Sequence, residues 1–293
     1  MVLQSISLGE RTWSTTLPHR VVPHDDEWLP GLLLRSDEVN HWASRTTLSY
    51  LLSPGPEKFH RSWRTGTPNF TVIPPFSLNL DFLAQALAIS TETLLATTYH
   101  RELARLYGTS RPHSRHFQRI FSFHLCPACF TKDRRLLRTL ALPHITLCTQ
   151  HQVVLQKDCT CGAPLSLFHR STLPFMCHLC GKDWATLPRI EGTPERLELE
   201  QKYRAWYDLF FSQGTLLMVR TAFQLIDKNS VSSSLDMTGF AQRQLPLGTL
   251  IPLLVQRGRS PQGLLTWMDQ VAQQRMRKRK TSDLHHQDDE ASL

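Results

Sequence analysis

All seven cysteines of this 293-residue chain fall between Cys126 and Cys180, and one histidine in the same window keeps their spacing. The order is Cys126-Pro-Ala-Cys129, Cys148-Thr-Gln-His151, Cys159-Thr-Cys161-Gly162 and Cys177-His-Leu-Cys180-Gly181. Two ligands separated by two residues reach one metal from a tight turn, and zinc takes four N or S ligands at roughly 2.0–2.3 Å. Eight ligands therefore make two closed tetrahedral sites. Taken in order, Cys126, Cys129, Cys148 and His151 form one, and Cys159, Cys161, Cys177 and Cys180 the other. An interleaved pairing satisfies the same count. The Cys-x-Cys pair is the tighter and rarer bite. Gly162 and Gly181 follow the second and fourth knuckles, where the chain needs positive φ and brings backbone N–H groups to sulfur.

Disulfides are the competing use of so many cysteines, but they need an oxidising compartment. The N-terminal Met-Val-Leu-Gln-Ser-Ile lacks the basic stretch and apolar run of a signal peptide, so the expectation is a cytoplasmic protein. A chain of this length also has enough residues to bury a core without covalent staples. Catalytic zinc keeps one position open for water, whereas here the ligand count fills both shells. Two structural zinc ions are expected, and no catalytic residue. His124, His144, His169 and His178 flank the ligands and are expected to be bystanders.

The formal charge of +8, with a pI near 9.3, favours a polyanionic partner. Between Arg101 and Lys157, arginines and lysines far outnumber Glu102 and Asp133. Arginine dominates there, as suits a forked grip on phosphate. Arg134, Arg135 and Arg138 lie inside the metal window and are the candidate nucleic-acid contacts. No run of about 18 apolar residues exists, so no membrane span is expected.

Periodicity predicts a mainly α fold with two small metal modules. An irregular arm precedes a helix over 27–52, with Trp28, Leu29, Leu32, Leu33, Val39 and Trp42 as its apolar stripe. Pro54-Gly55-Pro56 ends that unit, and a turn-rich segment follows to Pro75. Residues 80–99 read as helix, short turn, helix, with Ser90 or Thr91 capping the second and Ala84, Leu87, Ile89 and Leu94 packing inward. A helix-turn-helix that reads DNA would then show Thr93, Thr97 and Thr98 to the groove. Thr193-Pro194-Glu195 starts a helix reaching about Gly214, and further helices are expected near 215–227, 249–256 and 261–278. The expected domains are a helical region over 1–116, tandem metal modules over 117–188, a helical region over 189–280 and a disordered tail over 281–293. The tail carries a basic run at 275–280 followed by acidic residues.

Two stretches resemble the TniQ family, the target-selection proteins of Tn7-like transposons. Near the N-terminus the family shows a proline, then Glu-Ser-Leu-x-Ser-Trp-Leu-x-Arg, then an asparagine. Pro23, Glu27, Leu29, Leu33, Arg35 and Asn40 follow that pattern, while Pro30 and Gly31 depart from it and would loosen the helix start. The second stretch is Cys126-Pro127-Ala-Cys129, Arg138, Cys148-x-x-His151, Leu155 and Cys159-x-Cys161-Gly162, with an aliphatic residue near Leu140 where the family has tryptophan. The likeness covers about 20–190.

The resemblance implies a bacterial adaptor that is not an enzyme. Such a protein links a target-recognition module to the AAA+ ATPase regulator of the transposase. Its length, between the DNA-reading members and the shortest guide-associated ones, favours a Cascade-like CRISPR effector with guide RNA as the recognition module. Target DNA and a second copy of the chain are the other expected partners. The alternative is a zinc-containing, sequence-specific DNA-binding protein, acting at an attachment site or as a transcription regulator. It would need Arg, Asn or Gln on the second helix of the 80–99 hairpin, and those are sparse. A zinc deaminase needs His-x-Glu before Pro-Cys-x-x-Cys, which this chain lacks.

Overall fold

The computed structural model describes residues 16–44, 46–47, 80–107, 124–142, 144–167, 169, 172–227 and 247–290. The proline-rich break at 54–56, the turn-rich segment after it, and Arg111, Arg115 and Arg119 of the basic stretch lie outside them. The described chain is mostly helical, with a central region of short strands and turns.

Helix α1 spans Leu29–Val39. Pro30 falls in its first turn, where an amide hydrogen has no intrahelical partner to lose, so the departure from the family pattern is compatible with the helix start. Gly31 has a steric role. A Cβ there would stand 2.9 Å from the Leu136 Cβ, so the glycine lets α1 press against the metal region. The helix ends well before the expected position 52. Asn40 Nδ2 folds back to the Ser36 carbonyl at 2.8 Å, and His41 takes φ 55, a left-handed conformation that stops helical propagation.

Three short helices follow: α2 (Leu80–Leu87), α3 (Thr91–Ala96) and α4 (His100–Tyr107). Ser90 caps α3 by accepting from the Thr93 amide at 3.0 Å. Ala84, Leu87 and Leu94 are buried and Ile89 packs against them, as the periodicity predicts. The proposed groove-reading threonines are not available. Thr97 and Thr98 are buried, and their hydroxyls donate to the Leu94 and Leu95 carbonyls. The hairpin's outer face therefore lacks two of the three side chains assigned to it.

The central region contains α5 (Pro127–Asp133), a 3-10 turn at Arg138–Ala141, an antiparallel ribbon of β1 (Leu147–Cys148) and β2 (Val153–Val154), and a second 3-10 turn at Trp184–Thr186. The ribbon pairs Leu147 with Val154 and Cys148 with Val153. Beyond it lie α6 (Pro194–Gln213), α7 (Leu216–Asp227), α8 (Leu247–Gln256) and α9 (Pro261–Glu290). Thr193 caps α6 as expected. Helix α9 continues well past 278, so its backbone takes in most of the stretch read as a tail. Among the described residues no helix is long and apolar enough to cross a membrane.

The hydrophobic clusters cut across the expected domain boundaries. The largest joins Tyr99, Leu103 and Leu106 to Cys126, Cys148 and Leu155, and then to Trp206, Phe210, Leu250 and Leu264. A second holds α1 against α2 and α3 through Leu29, Leu32, Leu33, Leu83 and Leu87. The third brings Trp28 and Leu34 from α1 onto Phe130, Phe175 and Trp184. The metal region is thus the middle of the fold, with one flank in the C-terminal helical core and the other against α1.

Candidate metal centres

The first centre is assembled by three local devices. Cys126 is the N-cap of α5, where its Sγ lies 3.5 Å from the Cys129 amide, and Pro127 follows in the first turn. Cys129 comes one turn later on the same helix. Cys148 ends β1, and the turn into β2, with Gln152 at φ 55, swings His151 back over it. The His151 Nδ1 lies 3.2 Å from Cys129 Sγ, 3.6 Å from Cys148 Sγ and 3.7 Å from Cys126 Sγ, while Cys129 and Cys148 are 3.7 Å apart.

The second centre pairs two knuckles. Cys159 and Cys180 approach to 3.6 Å, as do Cys161 and Cys177. Gly162 and Gly181 take φ of 85 and 70, and their amides close on the Cys159 and Cys177 carbonyls. Both glycines thus do what the sequence asked of them. The Leu179 amide approaches Cys177 Sγ at 3.4 Å.

In each group the four ligand atoms lie within 4.8 Å of one another. A tetrahedral zinc with sulfur at about 2.3 Å spaces its ligands by about 3.8 Å. The observed separations match this, so both groups can hold a metal and the pairing is sequential. The interleaved alternative is excluded by the same geometry. His124, His144, His169 and His178 join neither group. His144 Nδ1 instead meets the Tyr207 hydroxyl at 3.1 Å, and His169 stacks on His178.

The thiols are crowded enough to share protons. Hydrogen bonds with Cys126 and then Cys129 pull Cys148 far below the ordinary thiol range, while those with Cys126 and then Cys148 push Cys129 far above it. At the second centre burial pushes Cys177 up, but the Cys180 and Leu179 amides outweigh it and hold it at about 7. A divalent cation held by either group would take its cysteines as thiolates and displace their protons.

The candidate phosphate contacts are largely committed elsewhere. Arg134 closes α5 in the left-handed conformation and reaches Glu38 at 2.6 Å and Asp183 at 2.9 Å, between the rings of Phe130 and Phe175. Arg138 donates to Glu102 at 2.8 Å and to the Thr98 carbonyl at 2.6 Å, and stacks over Tyr99. Arg135 pairs with Asp133 at 3.1 Å. Arg134 and Arg138 bolt the metal region to its neighbours, so their forks face carboxylates rather than solvent. The basic excess in sequence gave no sign of this, because the acids that meet them come from 26–102 and 183.

The motif residues near the N-terminus form a lock. Arg35 grips buried Glu27 with two bonds of 2.8 Å and also donates to the Val22 carbonyl at 2.7 Å. Asn40 bonds both the amide and the carbonyl of His19. Together they pin the arm onto α1. Beside them, Trp28 N donates to the Leu136 carbonyl at 2.8 Å and Arg138 N to the Asp26 carbonyl at 2.7 Å. Ser44 adds a link to the second module through the Thr172 and Leu167 carbonyls.

Glu200 escaped sequence reasoning. This buried carboxylate on α6 accepts from the Thr146 and Leu147 amides at 3.0 and 3.3 Å, directly before Cys148. Burial pushes its pKa up, against the pull of those amides and of Arg204. The available signal was a charged residue three positions from both Leu197 and Tyr203, on the apolar stripe of its helix.

No curated protein matches the chain. A model of the TniQ family matches residues 18–155. That span takes in the Glu27–Arg35 lock, Asn40 and all four ligands of the first centre, and it stops before Cys159. The described lock, hairpin and first candidate metal centre thus all lie within the stretch that is similar to the TniQ family, residues 18–155.

Proposed function

We propose that the chain is a non-enzymatic targeting adaptor of a Tn7-like transposition system, linking a target-recognition complex to the AAA+ ATPase regulator of the transposase. The observation that carries the reading is the likeness to the TniQ family over residues 18–155. Two structural zinc ions are the assigned cofactors. Three thiolates with one imidazole, and four thiolates, are the donor sets that soft and borderline metals select. Each set supplies four protein ligands, which leaves no position for the water that a zinc hydrolase activates.

An RNA-guided effector as the target reader agrees with the helical hairpin. Its second helix is only Thr91–Ala96, and the threonines after it are turned inward. A chain with no Arg, Asn or Gln on that helix gains sequence specificity most simply from a partner whose guide pairs with the target. Direct, sequence-specific DNA binding by this chain is the alternative.

A pull-down of the tagged protein from a strain carrying its neighbouring genes, with bound proteins and RNA identified, tests the reading. The expected result is an AAA+ ATPase together with a guide-RNA effector. The ATPase without guide RNA would move the assignment to direct DNA targeting. Neither partner, with tight sequence-specific DNA binding by the chain alone, would replace it with the alternative.

A further inference from the structure

Among the described residues, the ion pairs separate spent arginines from unspent ones. Arg35, Arg101, Arg134, Arg135, Arg138, Lys202 and Arg204 each pair with a carboxylate, while Lys157 and Arg196 are among the described cations that do not. These two cations line one cavity of about 380 Å³, between the first metal module and the start of α6. His124, Thr146, Gln156 and Asp158 share the lining.

The walls of the cavity are held from several directions. Arg196 Nε donates to Thr146 Oγ1 at 3.3 Å, and its Nη2 meets the Thr146 carbonyl at 3.5 Å, which orients the guanidinium. The Leu125 and Gln156 backbones exchange hydrogen bonds of 2.9 and 2.8 Å, which fixes the segment leading to Lys157. Gln156 Nε2 donates to the Val154 carbonyl at 3.2 Å. Lys157 and Asp158 are exposed, so the cavity has a charged approach from solvent. At about 30 Å³ per water, the space admits far more than a lone hydrated ion.

We propose that this cavity binds a backbone phosphate of nucleic acid through Lys157 and Arg196, with Gln156 and Thr146 as neutral polar neighbours. An oriented guanidinium beside a mobile ammonium is a donor set for phosphate oxygens. The charge balance selects the diester. Two formal positive charges face the single negative charge of Asp158, which suits the monoanionic phosphodiester. A phosphomonoester dianion meets Asp158 with a second charge left over. The overall charge of +8 supplies the long-range attraction for a polyanion. Such a contact positions a strand without reading its sequence, and it holds whether or not the adaptor reading survives.

The test is fluorescence anisotropy of a labelled oligonucleotide with the metal-loaded full chain across a salt series. Lys157→Glu is the primary variant, because the side chain is exposed and the hydrogen bond that the residue makes, from the Leu165 amide to its carbonyl, is kept. Lys157→Gln combined with Arg196→Gln is the second. Both are expected to weaken binding at every salt concentration and to lower the salt slope by about one, the value for one lost phosphate contact. Asp158→Asn is expected to tighten binding. Binding and slope unchanged in Lys157→Glu, or no binding by the unaltered protein at low salt, would overturn the proposal. So would equal competition by inorganic phosphate at fixed ionic strength, which would make the cavity a site for the free ion.

Discussion

The two metal centres use nearly the same ligands but stand in different surroundings. At the first, Cys126, Cys129 and Cys148 are all buried and belong to the largest hydrophobic cluster. At the second, Cys159 and Cys177 are buried but Cys161 and Cys180 are exposed. The first centre is therefore part of the core's packing, and its ligands double as core residues. The second closes a peripheral loop pair around Phe175 and Trp184. Equal coordination chemistry does not make equal contributions to the fold, because the energy of a site includes everything that its ligands also pack against.

The strongest break of this comparison is ligand loss. Cys148→Ser is expected to remove one metal equivalent and destabilise the chain by about 4 kcal/mol or more, the range for losing a metal within a core. Cys161→Ser should remove one equivalent with a clearly smaller fall in melting temperature. Metal analysis with thermal melts checks both, and equal falls would erase the distinction. A kinetic version uses thiol alkylation followed by mass spectrometry. Cys161 and Cys180 are expected to be modified before any first-centre cysteine, since exposure sets access.

The arginines that bolt each module sharpen the same contrast at lower energy. Arg138→Ala strips its partner Glu102, whose side chain is 14% exposed, and should cost about 2 kcal/mol. Arg134→Ala breaks pairs about one-third exposed on both sides and should cost about 1 kcal/mol, much of it from the lost Phe130 and Phe175 faces. Denaturant titration orders the two, and a larger cost for Arg134→Ala would contradict the ranking.

The smallest effect belongs to Glu200. Its folded pKa is raised by burial, so its contribution is greatest below the unfolded pKa and fades as pH rises through the folded one. Glu200→Gln keeps an acceptor for the Thr146 and Leu147 amides while removing the charge. The unaltered protein should therefore lose stability relative to this variant as pH rises from the unfolded carboxylate range, near pH 4.5, through the raised folded value. Paired melts across that range show it as a difference, in which the pH dependence common to the metal sites cancels.

The grouping of these eight residues was the most legible part of the sequence, because a tetrahedral metal site demands residue types at spacings that little else produces. Helix starts at Ser90 and Thr193 were legible for the same local reason. What could not be read were relations between distant segments. Arg134 and Arg138 look like a basic patch until Glu38, Asp26 and Glu102 are brought beside them. Gly31 looks like a weak point in α1 until Leu136 arrives against it. The end of α1 was missed because Asn40 stops the helix with a side-chain bond that the apolar stripe, which runs on to Trp42, does not register.

The contact of α1 with the metal region also has a consequence for synthesis. Trp28 and Leu34 lie in the same buried cluster as Trp184. A nascent chain therefore leaves the ribosome with this face of α1 bare; Phe130 and Leu136 can cover part of it, but the cover is not complete until the segment holding Phe175 and Trp184 has been translated. During that interval the helix can bury Leu29, Leu32 and Leu33 against α2 and α3, but not its opposite side. Apolar surface left open during synthesis is what chaperones cover on nascent chains, so the order in which the segments emerge sets how long this helix face needs such cover.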